Sequence, residues 1–140
     1  MYIKQLCVFL ENSCGKLELL TEVLAKNDIN LISMSISDTN DFGVVRLIVS
    51  DPNKAQDCLV RNGFASIVND IMAVKIPHKP GSLNGLLRAF SQKGINVEYA
   101  YALTSGDNAS ILMKTSNDEI ASKIIKEKYG FCEAEEIYNM

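Results

Sequence analysis

Leu6, Val8 and Leu10 alternate with Cys7 and Phe9 near the start of the chain, so the stretch from Ile3 to Leu10 is apolar on both faces. That pattern predicts a central strand. Glu11 to Gly15 reads as a turn. From Lys16 to Lys26 the spacing becomes helical, with Leu17, Leu20 and Leu24 on one face and Val23 widening the stripe. Asn27-Asp28 stops the helix. Leu31 to Ser37 predicts a second strand, Asp38 to Phe42 a polar loop, and Val44 to Val49 a β-branched third strand. Asp51-Pro52 opens another helix, because Asp caps free amides and Pro is tolerated in the first turn. Ala55, Cys58 and Leu59 form its inner stripe, Gly63 ends it, and Phe64 to Val68 is a short fourth strand.

The order strand, helix, strand, strand, helix, strand then occurs again, displaced by 66 residues. The displacement pairs Val8 with Val74, Gly15 with Gly81, Leu17 with Leu83 and Leu20 with Leu86. It also pairs Ile29 with Ile95, Asn30 with Asn96, Asp41 with Asp107, Ser50 with Ser116, Ala55 with Ala121 and Ile71 with Ile137. Ser116-Asn117-Asp118-Glu119 predicts the start of the last helix, which carries Ala121, Ile124 and Ile125 on one face. Phe131 to Tyr138 is the expected final strand. The chain is thus expected to be α+β, with two ferredoxin-like modules, residues 1–69 and 70–140, packed side by side. Each has an antiparallel sheet with helices on one face. The join at Asn69-Asp70 is too short for a flexible linker. In the second strands, Ile32, Met34 and Ile36 share one face, whereas Tyr99, Tyr101 and Leu103 share the other, which leaves open which face is core.

Composition narrows the classes of function. The formal charge is −3 with no Lys/Arg cluster, and 47% of residues are hydrophobic. Neither nucleic acid nor membrane is therefore an expected partner. RNA-binding modules share this element order but need aromatic stacking residues on the central strands, where only Phe9 stands out. The start of the chain shows no signal-peptide pattern, so the cytoplasm is the expected location. Cys7, Cys14, Cys58 and Cys132 lack metal-ligand spacing, and no metal or cofactor is expected. Cys7 and Cys58 sit in apolar surroundings as small buried hydrophobes, while Cys14 lies in a turn beside Gly15. Paired carboxylates, a Ser/His/Asp set and a phosphate-cradling Gly loop are absent at any catalytic spacing, so no enzyme is expected.

The chemistry that remains is at the turns. Ile76-Pro77-His78-Lys79-Pro80-Gly81-Ser82-Leu83 carries the chain from strand into helix. The first free amides of such a helix, together with its dipole, favour an anion such as a carboxylate. Asn12-Ser13-Cys14-Gly15-Lys16-Leu17 repeats the construction in the first module.

These turns, with Lys93-Gly94-Ile95-Asn96-Val97 and Asp28-Ile29-Asn30-Leu31 after the helices, resemble the ACT family of small regulatory modules that bind amino acids. Asp38-Thr39-Asn40-Asp41-Phe42-Gly43 followed by Arg46, and Glu98-Tyr99-Ala100-Tyr101, are also similar to stand-alone tandem members of that family. The first module departs from the pattern in having Asn12-Ser13-Cys14 where Pro is expected before Gly15. The resemblance implies a non-catalytic sensor that holds a free amino acid at the interface between its two modules and modulates, in trans, an enzyme of amino-acid metabolism or a related partner such as a transporter. It implies a ligand site of Asn12, Ser13, Cys14, Gly15, Lys16 and Leu17 with Asn96, Val97 and Glu98. A second such site would combine His78, Lys79, Pro80, Gly81, Ser82 and Leu83 with Asn30, Leu31 and Ile32.

Other readings of these residues stay open. Asn30 and Asn96 serve equally well as turn residues, and Lys16 and Lys79 as solvated charges. An adaptor that binds a protein partner without a small ligand is the alternative function, and a small enzyme the second alternative. An apolar sheet face opposite the helices, including Cys7 and Ala73, leads to the further expectation of a homodimer.

Overall fold

The computed structural model describes residues 2–38, 42–105 and 108–140. Residues 39–41 and 106–107 lie outside this description, and with them most of the expected polar loop and the Asp41/Asp107 pair. In chain order the elements are β1 (Tyr2–Glu11), α1 (Lys16–Lys26), β2 (Leu31–Asp38), β3 (Phe42–Val49), α2 (Pro52–Arg61) and β4 (Ala65–Pro77). They continue with α3 (Ser82–Gln92), β5 (Val97–Ser105), β6 (Asn108–Thr115), α4 (Asp118–Lys128), β7 (Gly130–Phe131) and α5 (Ala134–Tyr138).

The residues form two compact units. One consists of Lys4–Asp70 with Glu135–Met140, the other of Met1–Ile3 with Ile71–Ala134. In the first, the strand order is β2-β3-β1-β4, with β1 and β2 both antiparallel to β3. In the second it is β5-β6-β4, with β7 also on β4 and every pair antiparallel. The expected α+β class of ferredoxin-like modules therefore holds.

Both cores follow from the alternation read in the sequence. Leu6, Val8 and Leu10 of β1 meet Val45, Leu47 and Val49 of β3 under Leu20, Val23 and Leu24 of α1 and Ala55, Cys58 and Leu59 of α2. Both helices thus cover one face. In the other unit Met72, Val74 and Ile76 join Ile111 and Met113 under Leu86 and Phe90 of α3 and Ala121 and Ile125 of α4. Fully burying one such side chain contributes about 1.5–3 kcal/mol, which is where most of the stability resides.

A bulge resolves the disagreement between the second strands. The β2–β3 register shifts between Leu31 and Ser33, and the β5–β6 register between Val97 and Tyr99. One extra residue, Ile32 or Glu98, reverses the facing of everything after it. Met34 and Ile36 then lie opposite Leu47 and Val45 on the helix side, and Ala100 and Ala102 lie opposite Met113 and Ile111 on the same side. Tyr99, Tyr101 and Leu103 take the other face. The two modules share one geometry and fill it with different residues.

Three expectations need correction. The fourth and fifth expected strands are one strand, β4, which passes through Asn69 and Asp70 without a break. Those polar residues are satisfied there: Asn69 Oδ1 accepts from Gln5 Nε2 at 3.0 Å, and Asp70 pairs with Lys4 Nζ at 2.9 Å. The expected strand from Phe131 to Tyr138 is only the two residues of β7, followed by α5. Glu133-Ala134-Glu135-Glu136 is poor strand sequence and good helix sequence, and local propensity prevails over the repeat. Lastly, Cys7 and Ala73, expected on a bare sheet face, are 6% and 0% exposed within the single chain. Among the described residues no helix is long and apolar enough to cross a membrane.

Candidate functional site

The two strand-to-helix turns have the same construction, bond for bond. In the first, Ser13 N–H donates to Glu11 O at 2.9 Å, Lys16 N–H to Ser13 O at 3.4 Å, and Leu19 N–H to Gly15 O at 3.0 Å. In the second, Lys79 N–H donates to Pro77 O at 3.0 Å, Ser82 N–H to Lys79 O at 3.2 Å, and Gly85 N–H to Gly81 O at 3.0 Å. Gly15 and Gly81 sit in the left-handed region at φ 86° and 88°. The absence of Pro before Gly15 thus leaves the turn's geometry unchanged.

Helix capping separates these turns from the other helix starts. At α2 the Asp51 side chain accepts from Lys54 N–H at 3.1 Å, and at α4 Asn117 Oδ1 accepts from Ile120 N–H at 3.1 Å. At α1 and α3 the capping residue is glycine and no side chain bonds the helix amides. The first amides of an α-helix have no acceptor within it; Lys16 and Ser82 give theirs to the turn carbonyls, and those of Leu17 and Glu18, and of Leu83 and Asn84, point outward with a partial positive charge. The second start has Lys79 in its turn and no acidic residue in its first turn of helix; the first has Glu18, and Lys16 lies 4.0 Å from Glu11.

Each of these helix starts borders a hollow in its own module. Asn12, Ser13 and Leu17 line one of about 120 Å³ with Ile36 and Val45. Leu83 lines another of about 240 Å³ with Ala100, Tyr101, Ala102 and Ile111. The repeat relates Leu17 to Leu83, Ile36 to Ala102 and Val45 to Ile111, so the same hollow is built twice. Its floor residues were not among the expected site residues. The alternation of β2 carried the signal, but the bulge at Ile32 hid which face it applied to.

Neither strand start lines the hollow of its own module. In its own module the first turn shares its hollow with Ile36, not with Asn30, Leu31 or Ile32. Asn30 N–H donates to Ser50 Oγ at 2.9 Å while Ser50 N–H donates to Asn30 O at 3.0 Å. Asn96 and Ser116 make the same exchange at 2.9 and 2.8 Å. These backbone bonds fix where the second strand starts, and they leave the Asn side chains for other use. Leu31 and Val97 pack partly against the cores, whereas Glu98 is exposed; the Lys114 pKa is raised chiefly by its hydrogen bond to Asp118, with a smaller contribution from the Glu98 charge. Asn12, Ser13, Cys14, His78, Lys79 and Pro80 are exposed, and Ser82 is half-buried. Cys7, Cys58 and Cys132 are buried free thiols, and burial pushes the Cys7 thiol up.

Residues 1–140 match the family model described as an ACT domain pair. Protein BT0572 from Bacteroides thetaiotaomicron has a similar solved structure, with a TM-score of 0.93 and 38% identity over 100% of this chain and 98% of that one. The regulatory subunit of aspartate kinase from Thermus thermophilus, in its ligand-free form, has a TM-score of 0.66 and 17% identity over 91% of this chain and 94% of its own. Its counterpart from Thermus flavus gives 0.64 and 17%, over 90% and 92%. At that identity these two share the fold. No curated protein matches the sequence. From the match over its whole length, the chain belongs to the ACT family as an ACT domain pair.

Proposed function

We propose that this protein is a non-catalytic cytoplasmic sensor that binds a free amino acid at its strand-to-helix turns and regulates a separate enzyme of amino-acid metabolism. The observation that carries the reading is the contrast in capping. Helices α2 and α4 each satisfy one first-turn amide with the side chain of Asp51 or Asn117, while at α1 and α3 glycine leaves the amides of Leu17 and Glu18, and of Leu83 and Asn84, without a side-chain cap beside an apolar hollow. An α-carboxylate matches those amides, and an aliphatic or small side chain matches the hollow. The likeness in fold to regulatory subunits of aspartate kinase supports regulation in trans.

A thermal-shift screen of the twenty amino acids against the purified chain tests the reading. A ligand at a hundred times its Kd adds about 2.7 kcal/mol, several degrees for a chain of this size. No shift with any amino acid at millimolar concentration rejects the sensor. The adaptor is the second reading, and one observation favours it: Met34, Ile36 and Phe42 of the first module are 39%, 47% and 62% exposed. The same side chains support self-association as a homodimer, which light scattering tests; a monomer mass at tens of micromolar rejects it.

A further inference from the structure

The first module has another hollow, of about 230 Å³, which Lys16 and Leu19 of α1 line with Phe9, Glu11, Asn62 and Phe64. Leu17 takes no part in it. Phe9 and Leu19 are 51% and 44% exposed, and Lys16 Nζ lies 4.0 Å from the Glu11 carboxylate. Asn62, the C-cap of α2, leaves the space open, because its side-chain amide turns back to donate to Cys58 O at 2.7 Å. The second module treats the same place differently. The C-cap of α4 is Tyr129, and the displacement of 66 residues pairs Leu19 with Gly85. The Tyr129 hydroxyl reaches α3 there, 3.3 Å from where a Cβ on Gly85 would stand. Tyr129 and Phe131, the counterpart of Phe64 in the two Gly-Phe pairs, both pack against that module's core. A phenol ring thus bridges the end of one helix and the start of the other in the second module. In the first, Leu19 narrows the gap without closing it.

We infer that the hollow beside Leu19 is a binding site for a small phenol, a single aromatic ring bearing a hydroxyl, held by the first module alone. The inference goes beyond the amino-acid reading and does not depend on it, since neither the open amides of Leu17 and Glu18 nor a strand start lines this hollow. Its size suits one ring. An apolar cavity of about 150 Å³ takes up benzene, whereas larger ligands occupy roughly 300 Å³ or more. Phe9, Leu19 and Phe64 supply apolar and aromatic surface, against which a ring gains more than its buried area alone. A hydroxyl both donates and accepts, so it matches the neighbouring Lys16 ammonium and Glu11 carboxylate together. A plain hydrocarbon ring leaves that pair unused, and an anionic one meets Glu11 with like charge.

Nuclear magnetic resonance on the full chain tests this, with p-cresol, the tyrosine side chain as a free molecule, for probe. The Leu19 methyl signals are expected to shift while those of Leu17 and of the second module stay in place. Half-saturation should fall at roughly 1 mM, an ordinary value for a ligand of so few atoms. Asn62→Tyr supplies the ring from the chain itself, as Tyr129 does, and should abolish the Leu19 response. Tyr129→Ala makes the reverse exchange and opens the counterpart in the second module. It should melt lower than the parent, and p-cresol should raise its melting temperature by more than it raises the parent's. Leu19 signals unmoved at about 10 mM p-cresol overturn the inference. Shifts spread evenly over both modules also overturn it, since they mark adventitious partition of the ring onto apolar surface. Should Asn62→Tyr fail to fold, Tyr129→Ala still decides: equal melting shifts in variant and parent would mean that the Tyr129 ring is no guide to what the open hollow takes.

Discussion

Gly15 and Gly81 hold the same left-handed backbone, φ 86° and 88°, at the head of two helices 66 residues apart. An added Cβ at either would meet nothing within 4 Å, so the only objection to a side chain there is the backbone conformation. Gly15→Ala or Gly81→Ala is therefore expected to cost about 1 kcal/mol or somewhat more in urea unfolding. Asn tolerates this conformation better, so Gly81→Asn should cost less. Equal losses from Ala and Asn would show that space, not φ, is limiting.

The caps at the other two helices are expected to behave differently. Asp51→Ala removes the acceptor of the Lys54 amide and should lower stability by about 1 kcal/mol, and Asn117→Ala should do the same at Ile120. Neither should change amino-acid affinity in calorimetry, because these helix starts are already occupied by the protein's own oxygen atoms. A loss of binding in Asp51→Ala without a loss of stability would contradict the division between capped and open helices.

How far the sequence showed these features depended on their range. Alternation in β1 and β3 and the 3.6-residue stripe of α1 are local and agree with the final packing, so strands, helices and cores were legible. The Asp51-Pro52 and Asn117 helix starts were legible for the same reason. At residues 134–138 the repeat points to a strand and the composition to a helix, and composition prevails: Ile137 matches Ile71 in position and in burial, but one lies in a helix and the other in a strand. The bulges at Ile32 and Glu98 left no mark in the pattern except that the two strands disagreed. The hollow beside each helix start depends on that bulge and was hidden with it. The bond from Asn30 to Met140 spans 110 residues, and no periodicity reports a contact of that kind.

Asp118 gives the fold a pH dependence. Burial works against its ionised form. Hydrogen bonds from the Thr115 hydroxyl and amide at 2.6 and 3.0 Å, and from Lys114 Nζ at 2.9 Å, outweigh that and hold its carboxyl below the usual range. A depressed native pKa adds stability that is complete above the unfolded value, about 3.9, and is lost as the pH falls through the native one. Asp118→Asn should therefore be less stable than the parent near neutral pH, with the gap closing in acid. Urea midpoints compared near neutrality and near pH 3 measure it; a gap that stays constant would assign the loss to packing.

The last prediction concerns charge at the open helix start of the second module. Lys79 is exposed, and its backbone, not its ammonium, makes the turn by donating to Pro77 and accepting from Ser82. Reversing its charge should leave the fold intact and act on whatever anion approaches the amides of α3. A single charge near a helix terminus is worth about 0.3–1 kcal/mol. Lys79→Glu should weaken amino-acid binding roughly fivefold, with the melting temperature of the free protein unchanged. Because the charge is in solvent, the difference should shrink as salt is raised toward molar concentrations. Lys54→Glu is the matched control: it places the same reversal at the start of α2, where Asp51 already holds the amide. Calorimetry on the two variants decides the point. A loss confined to Lys79→Glu and screened by salt locates the ligand carboxylate at the α3 start, whereas equal effects from both would mean that only the net charge of the protein matters.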